Sequence, residues 1–306
     1  MPKRQAEPAA APPPAIDVFS EIYARAQVRG RVSQARSVGR LQPLHFDEDG
    51  ACIHIVQRGA CRLLLGGRRD GLRLLAGDVV TVMQARPHRL EWTEQDGHDG
   101  NAQVITAVLQ LGGLHGEALV GGLPELLHVP GNGHGDSDGT PGPAGAWIPT
   151  TIAAMELEFQ SPAVGSGIML SKTAELLFVW TIRHYIASGH DLQGGWAAAL
   201  RDPAINRVLS RLHAAPGHGW DVQELASLAG QSRSNFSQRF IHVVGETPMR
   251  YLTRWRMQLA ADLLASSNLQ IVQVAEQAGY SSQAAFGRAF QRHYGVSPSA
   301  YRMQRP

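Results

Sequence analysis

The sequence predicts an α+β chain of two unlike domains: a β-barrel with trailing helices, then an all-helical domain of two similar units joined by a long helix. Three observations predict it. The last hundred residues state one pattern twice, the stretch from about 40 to 110 is made of short apolar runs punctuated by glycine, and charge divides unevenly along the chain. From Arg201 onward there are twelve arginines, no lysine and six acidic residues, a net +6. Residues 1–200 carry sixteen basic and twenty acidic residues, a net −4, so the +2 of the whole chain hides an asymmetry. A basic half joined to a neutral or acidic one suits a partner that is a polyanion.

Taken in order, residues 1–15 are rich in proline and alanine and lack the apolar core of a signal peptide, which predicts a disordered tail. No run reaches eighteen apolar residues, so no membrane span is expected. Two cysteines in 306 residues, with no metal-ligand spacing, fit a reducing cytoplasm. Strands are expected at Cys52–Val56, Cys61–Leu65, Leu72–Leu75, Val79–Val82 and Ala102–Leu109, with turns at Gly59, Gly66-Gly67, Gly77-Asp78 and Pro87. Short strands of this kind predict a sandwich or jelly-roll barrel. Gly112-Gly113 and Gly121-Gly122 lack the Lys-Ser/Thr ending of a phosphate loop and read as loop glycines. Residues 131–146 read as a flexible loop, followed by helices at Thr150–Phe159 and Thr173–Ala187. The second places Leu176, Leu177, Val179, Trp180, Ile182, Tyr185 and Ile186 on a wide apolar surface, which either packs on the barrel or pairs two copies of the chain. The organisation is a tail (1–15), a first domain (16–190), a linker (191–199) and a helical domain (200–306).

The repeat begins with Leu225-Ala226-Ser227-Leu228-Ala229-Gly230 and returns as Val274-Ala275-Glu276-Gln277-Ala278-Gly279. Ser232, Phe236, Phe240, Gly245, Pro248 and Tyr251 find counterparts in Ser281, Phe286, Phe290, Gly295, Pro298 and Tyr301. The offset is 49 residues up to the serine and 50 after it. Each copy reads as a helix-turn-helix. Asp221 caps the first helix with Glu224 reaching back, Gly230 ends it in the left-handed conformation, and Ser232 caps the next. Phe236 and Phe240 turn inward one helical turn apart, so Arg233, Ser234, Ser237, Gln238 and Arg239 turn outward. In the second copy Gln283, Ala284, Gly287, Arg288 and Gln291 do the same. Arg and Gln pair bidentately with guanine and adenine edges in the major groove. Thr247-Pro248 starts the joining helix, Met249 to Leu264, about 25 Å long and able to set two reading helices near one duplex turn apart.

These residues resemble the DNA-binding domain of the AraC/XylS family of bacterial transcription regulators. The match runs through Trp255-Arg256-Met257, Ala260, Leu263-Leu264, Gly279-Tyr280, Ser281-Ser282, Ser297-Pro298 and Tyr301-Arg302. The resemblance implies base reading by Ser234, Ser237 and Gln238 in the first unit and by Gln283, Ala284, Gly287 and Arg288 in the second. Arg233 and Arg292 join them as DNA contacts. The implied partners are promoter duplex DNA, RNA polymerase, a small-molecule effector and a second copy of the chain. Small residues at several reading positions leave the target open and give weight to phosphate contacts and DNA shape.

The stretch from His54 through Gly77-Asp78-Val79-Val80 to Pro87-His88 resembles the cupin superfamily, a small barrel that serves as the effector-sensing part in such regulators. His45, His54 and His88 could converge inside it, with Glu91 as a carboxylate, but the His-x-His pair of catalytic cupins is absent. No metal, cofactor or catalytic residue is expected, and His54 and His88 are expected to meet the effector. Cys52 and Cys61, placed on a hairpin around Gln57-Arg58-Gly59, are the alternative signal site, a thiol pair. The predicted function is a cytoplasmic, non-enzymatic DNA-binding regulator sensing a small molecule or chemical signal, with activation or repression left open. The alternatives are a cupin-type metal enzyme carrying a DNA-binding module and an architectural protein without effector.

Overall fold

The computed structural model describes residues 17–303 apart from 34–35, 41, 67–70, 85, 93–100, 113–115, 117–118, 132–142 and 189–193. The chain separates into two compact units, one spanning Ile22–Arg201 and one that includes Asp202–Pro306. A short helix, α1 (Val18–Arg25), precedes the strands.

Among the described residues the first unit holds two antiparallel sheets. One has the order β1 (Arg29–Val32), β9 (Asn101–Gln110), β4 (Ala51–Arg58), β7 (Val79–Val82), β10 (Leu126–Val129), with β2 (Arg36–Gly39) also on β9. The other runs β3 (Leu44–Phe46), β8 (His88–Glu91), β5 (Ala60–Leu65), β6 (Leu72–Leu75). Their facing sides share one apolar core that includes Val38, Phe46, Cys52, Val56, Cys61, Leu63, Leu74, Val80, Leu90 and Val104. Alternation along β4 explains how one strand serves two layers: Cys52 and Val56 enter that core, while Ile53 and Ile55, equally buried, face the other way.

Helix α2 (Pro143–Gln160) and helix α3 (Ser166–Ala187) pack on each other, and α3 lies across β1 and β10. Gly30 on β1 permits this approach, since a Cβ there would stand 2.8 Å from the Ser171 carbonyl oxygen, and its N–H donates to Glu175. The loop expected at 131–146 is partly corrected. Residues 132–142 lie outside the described residues, and helix begins at Pro143 with Pro149 inside it. A proline is well suited to the first helical position, where its missing N–H costs nothing. The expected linker at 191–199 is also corrected: α4 (Trp196–Arg201) is helical, and its buried Trp196 indole donates to the Leu119 carbonyl at 2.9 Å within the sheet-bearing unit.

The second unit comprises α5 (Pro203–Ala214), α6 (Val222–Leu228), α7 (Arg233–Val244), α8 (Pro248–Ser266), α9 (Ile271–Gln277), α10 (Gln283–Tyr294) and α11 (Pro298–Met303). Two helix-turn-helix units, α6–α7 and α9–α10, flank α8, whose 19 residues make it about 28 Å long. Capping sets the boundaries. Asp221 accepts the Glu224 N–H at 2.8 Å, Ser232 accepts from Asn235, and Thr247 accepts from Arg250. The reciprocal bond expected from Glu224 is not made, because its carboxylate is held by His218 at 3.0 Å. Gly230 and Gly279 end α6 and α9 at φ of +66° and +77°, as expected of left-handed terminators. Helix α10 is capped by Ser282 rather than Ser281, so the extra residue between the copies sits in the turn between α9 and α10.

Candidate functional site

Helices α7 and α10 are each fixed by two phenylalanines. Phe236 and Phe240 on α7, and Phe286 and Phe290 on α10, are fully buried, with ring centroids 5.6 Å apart in both pairs. A helix anchored on one side must turn its remaining residues outward. Arg233, Ser234, Gln238 and Arg239 on α7 are exposed, and so are Gln283, Ala284, Arg288 and Arg292 on α10. Ser237 and Gly287 are half-buried at the margins of those faces. The two serines of α7 are already engaged: Ser237 donates to the Arg233 carbonyl at 2.8 Å, and Ser234 lies 3.4 Å from the Ser232 hydroxyl. Gly287 is not required by packing, since a Cβ there would meet no atom within 4 Å. Its smallness is therefore available for close approach from outside.

Arg288 and Arg292 stand four residues apart on the exposed face of α10, where like charges cost about 0.2–0.5 kcal/mol in isolation. A polyanion removes that penalty. Arg239, by contrast, is occupied, its Nε donating to Asp202 at 2.7 Å. Arg256 and Arg302 are structural, donating to the carbonyls of Pro216 and His218 and of Leu269.

Inside the two-sheet unit the structure brings His54 and His88 together and leaves His45 out. His45 is exposed on β3 because its neighbours Leu44 and Phe46 take the inward positions, so the expected convergence of three histidines does not occur. Glu91 turns to Arg89 at 3.1 Å. His54 Nε2 lies 2.7 Å from His88 Nε2, His54 Nδ1 lies 2.9 Å from the Thr106 hydroxyl, and His88 Nδ1 lies 2.7 Å from the Arg86 carbonyl oxygen. These distances assign the protons. The Arg86 carbonyl only accepts, so His88 carries hydrogen on Nδ1 and accepts at Nε2. His54 then donates from Nε2 and accepts the Thr106 hydroxyl at Nδ1. Every ring nitrogen is satisfied with both imidazoles neutral. Burial holds His54 well below the ordinary histidine range, reinforced by His88 beside it. Burial also lowers His88, against the opposing pull of the Arg86 carbonyl. Phe46 stacks on His88 at 5.1 Å and lies 4.5 Å from His54. Thr106 and Phe46 were not singled out from sequence; the signal for Thr106 was a hydroxyl within the otherwise apolar inward row Ala102, Val104 and Val108 of β9.

Cys52 and Cys61 are not partners in a hairpin. β4 pairs with β7 and β9, and β5 with β6 and β8, so the two thiols belong to different sheets. Six residues of strand, about 20 Å, separate Cys52 from Arg58, and Cys61 is at most about 11 Å beyond. Their α-carbons are therefore about 9 Å apart or more, outside disulfide range. Both are buried thiols, and burial, then Glu48, pushes Cys52 up to about 11.

Residues 225–304 match a helix-turn-helix domain family and residues 17–187 match a cupin family. An AraC-like transcription regulator of Streptomyces antibioticus is 30% identical over 94% of this chain and 98% of its own length. The HTH-type transcriptional regulator AlkR of Acinetobacter baylyi is 31% identical over 84% of this chain and 89% of its own. The RCS-specific HTH-type transcriptional activator RclR of Escherichia coli is 29% identical over 81% and 83% respectively.

Proposed function

Since this chain belongs to the AraC-like transcription regulators, with a cupin half ahead of its DNA-binding half, we propose that α7 and α10 read two segments of one promoter duplex while the barrel senses a small molecule. Within that reading Ser234, Ser237 and Gln238 face bases from α7, and Gln283, Ala284, Gly287 and Arg288 face them from α10. Arg233 and Arg292 anchor to phosphate. The observation that carries it is the pair of matched scaffolds, each burying two phenylalanines and presenting a polar face, on a unit whose net charge is positive. The stiff α8 sets their spacing. RNA polymerase is the expected partner once bound. Leu157, Ile168, Met169 and Leu176, exposed on α2 and α3, suit pairing of two copies. No helix among the described residues is long and apolar enough to cross a membrane, and the regulator works in the cytoplasm under this proposal.

Arg288→Ala in the full chain is expected to cost about 1–3 kcal/mol on the preferred duplex and to relax selection at one base position. Arg292→Ala is expected to weaken preferred and random duplex alike and to reduce the slope of log affinity against log salt by about 0.9. Binding titrations at several salt concentrations separate the two. Equal loss of Arg288→Ala on both duplexes would show that Arg288 is an anchor.

For the signal, the inward polar row Thr106–His54–His88 is the place where a ligand could find orienting groups in an apolar surround. Cupin enzymes hold a metal, and the site does not fit one: the facing Nε2 atoms of His54 and His88 bond each other, and no group of three or more His, Cys, Asp or Glu side chains able to hold a metal occurs among the described residues. No catalytic role is assigned. The thiol reading is weaker still, because a buried thiol near 11 is almost entirely protonated at neutral pH. DNA affinity is therefore expected to be unchanged by diamide in both the wild type and the Cys52→Ser/Cys61→Ser variant. A wild type that responds beside a double variant that does not would establish the thiol switch instead.

A further inference from the structure

Asp202 makes more contacts than a cap needs. It opens the stretch Asp202–Pro306 and precedes Pro203, the opening residue of α5. One carboxylate oxygen, Oδ1, accepts the N–H groups of Ala204 and Ile205 at 3.1 and 3.2 Å. The other, Oδ2, accepts Arg239 Nε at 2.7 Å, a short charge-assisted bond to the middle of α7. The Asp202 side chain is only 10% exposed, against 47% for Arg239. One end of this ion pair is thus fixed by the start of α5, while the other lies beside Gln238, a reading position.

Among the described residues the other helix-turn-helix, α9–α10, has no such device. Fifty residues beyond Arg239 stands Ala289, and the outward cations of α10, Arg288 and Arg292, are exposed. The asymmetry has a physical consequence. A mobile arginine on a reading helix reaches phosphate on any sequence and adds affinity without selectivity. Tied to a rigid partner, the same arginine adds none and instead holds the rotation of its helix.

We propose that Asp202 is a positioning residue that sets the base selectivity of α7 by holding Arg239 away from the duplex. The proposal rests on α7 being a reader. Asp202→Asn keeps a side-chain acceptor for the α5 cap, since asparagine caps as well as aspartate, but loses the charge that retains Arg239. Arg239→Gln removes the cation from the other side.

The experiment uses the full chain and a randomised duplex pool of about 30 base pairs, some three helical turns. Bound DNA is sequenced for the wild type and each variant, with Arg288→Ala marking the half of the site read by α10. For Asp202→Asn, base discrimination in the other half is expected to fall about tenfold, the scale of one lost bidentate contact, with the α10 half unchanged. Its binding to random duplex should tighten, with a salt slope steeper by about 0.9, one added phosphate contact. Arg239→Gln should lose the same discrimination without that gain, and the double variant should return the slope to the wild-type value. Equal losses in both halves, an unchanged α7 profile, or an unchanged slope in Asp202→Asn would overturn the proposal. A wild type with no selected bases outside the half lost in Arg288→Ala would remove α7 as a reader and the proposal with it, and that outcome is visible before any Asp202 variant is made.

Discussion

Phe290→Ala is expected to destabilise the helical unit by about 3–5 kcal/mol, the usual cost of emptying a phenylalanine-sized space in a core. Phe290 is fully buried and touches three rings: Phe286 at 5.6 Å, Tyr294 at 4.7 Å and Tyr301 at 5.4 Å. The same cluster takes in Met257, Ala260, Ala261 and Leu264 of α8 and Val274, Ala275 and Ala278 of α9. The loss therefore falls on the packing that orients α10 against α8. A domain whose total stability is about 5–15 kcal/mol keeps little in reserve after such a change. Urea unfolding and gel shift at the same temperature should both register it, while Phe290→Leu, closer in volume, should cost much less. A Phe290→Ala protein that melts within about 1 kcal/mol of wild type and binds DNA normally would show that α10 is held by other contacts.

Acidification is expected to weaken the two-sheet unit, and the neutral histidine pair is the reason. His54 and His88 are both held below the ordinary histidine range in the folded chain, whereas an unfolded chain takes up those protons near pH 6.5. The unfolded state then binds more protons, and stability present above pH 6.5 is lost as pH falls below it. Each histidine that stays neutral adds to that loss, so between pH 7.5 and 5.5 the pair lowers stability by an amount on the order of 1 kcal/mol. Hydrogen exchange at the amides of β4 and β9 reads this unit alone. Wild type should show the full slope, and His88→Gln a smaller one. Protection independent of pH across that window would mean that the pair is charged or open in solution.

The helical half was legible because its signals are local. Boundaries there are set locally, by side-chain caps at Asp221, Ser232 and Thr247 and by left-handed glycines at 230 and 279, and each inward face is written at helical spacing. The barrel was legible only where strands are apolar. The edge strands β1 and β2, Arg-Gly-Arg-Val and Arg-Ser-Val-Gly, carry charge and glycine because they are partly exposed, so neither alternation nor propensity marks them. Partnering across sheets was the least visible. Nothing between Cys52 and Cys61 says that the chain turns at Gly59 into the opposite sheet instead of back along the same one. The meeting of His54 with His88 depends on that same non-local step. Asp202 did carry a local mark, an aspartate before a proline at a helix start, but only the fold shows Arg239 coming to it from 37 residues away.

The extra residue in the second turn gives the protein a heading. From Gly230 to the capping Ser232 the chain advances two positions, and from Gly279 to the capping Ser282 it advances three. The two helix-turn-helix units are therefore not exact copies, and if α7 and α10 read the duplex as proposed, exchanging their half-sites presents each helix with the wrong segment. Under that proposal a single bound chain distinguishes upstream from downstream. Its operator is expected to work in one orientation only, and inverting the site in front of a reporter should abolish control without altering a base of its sequence.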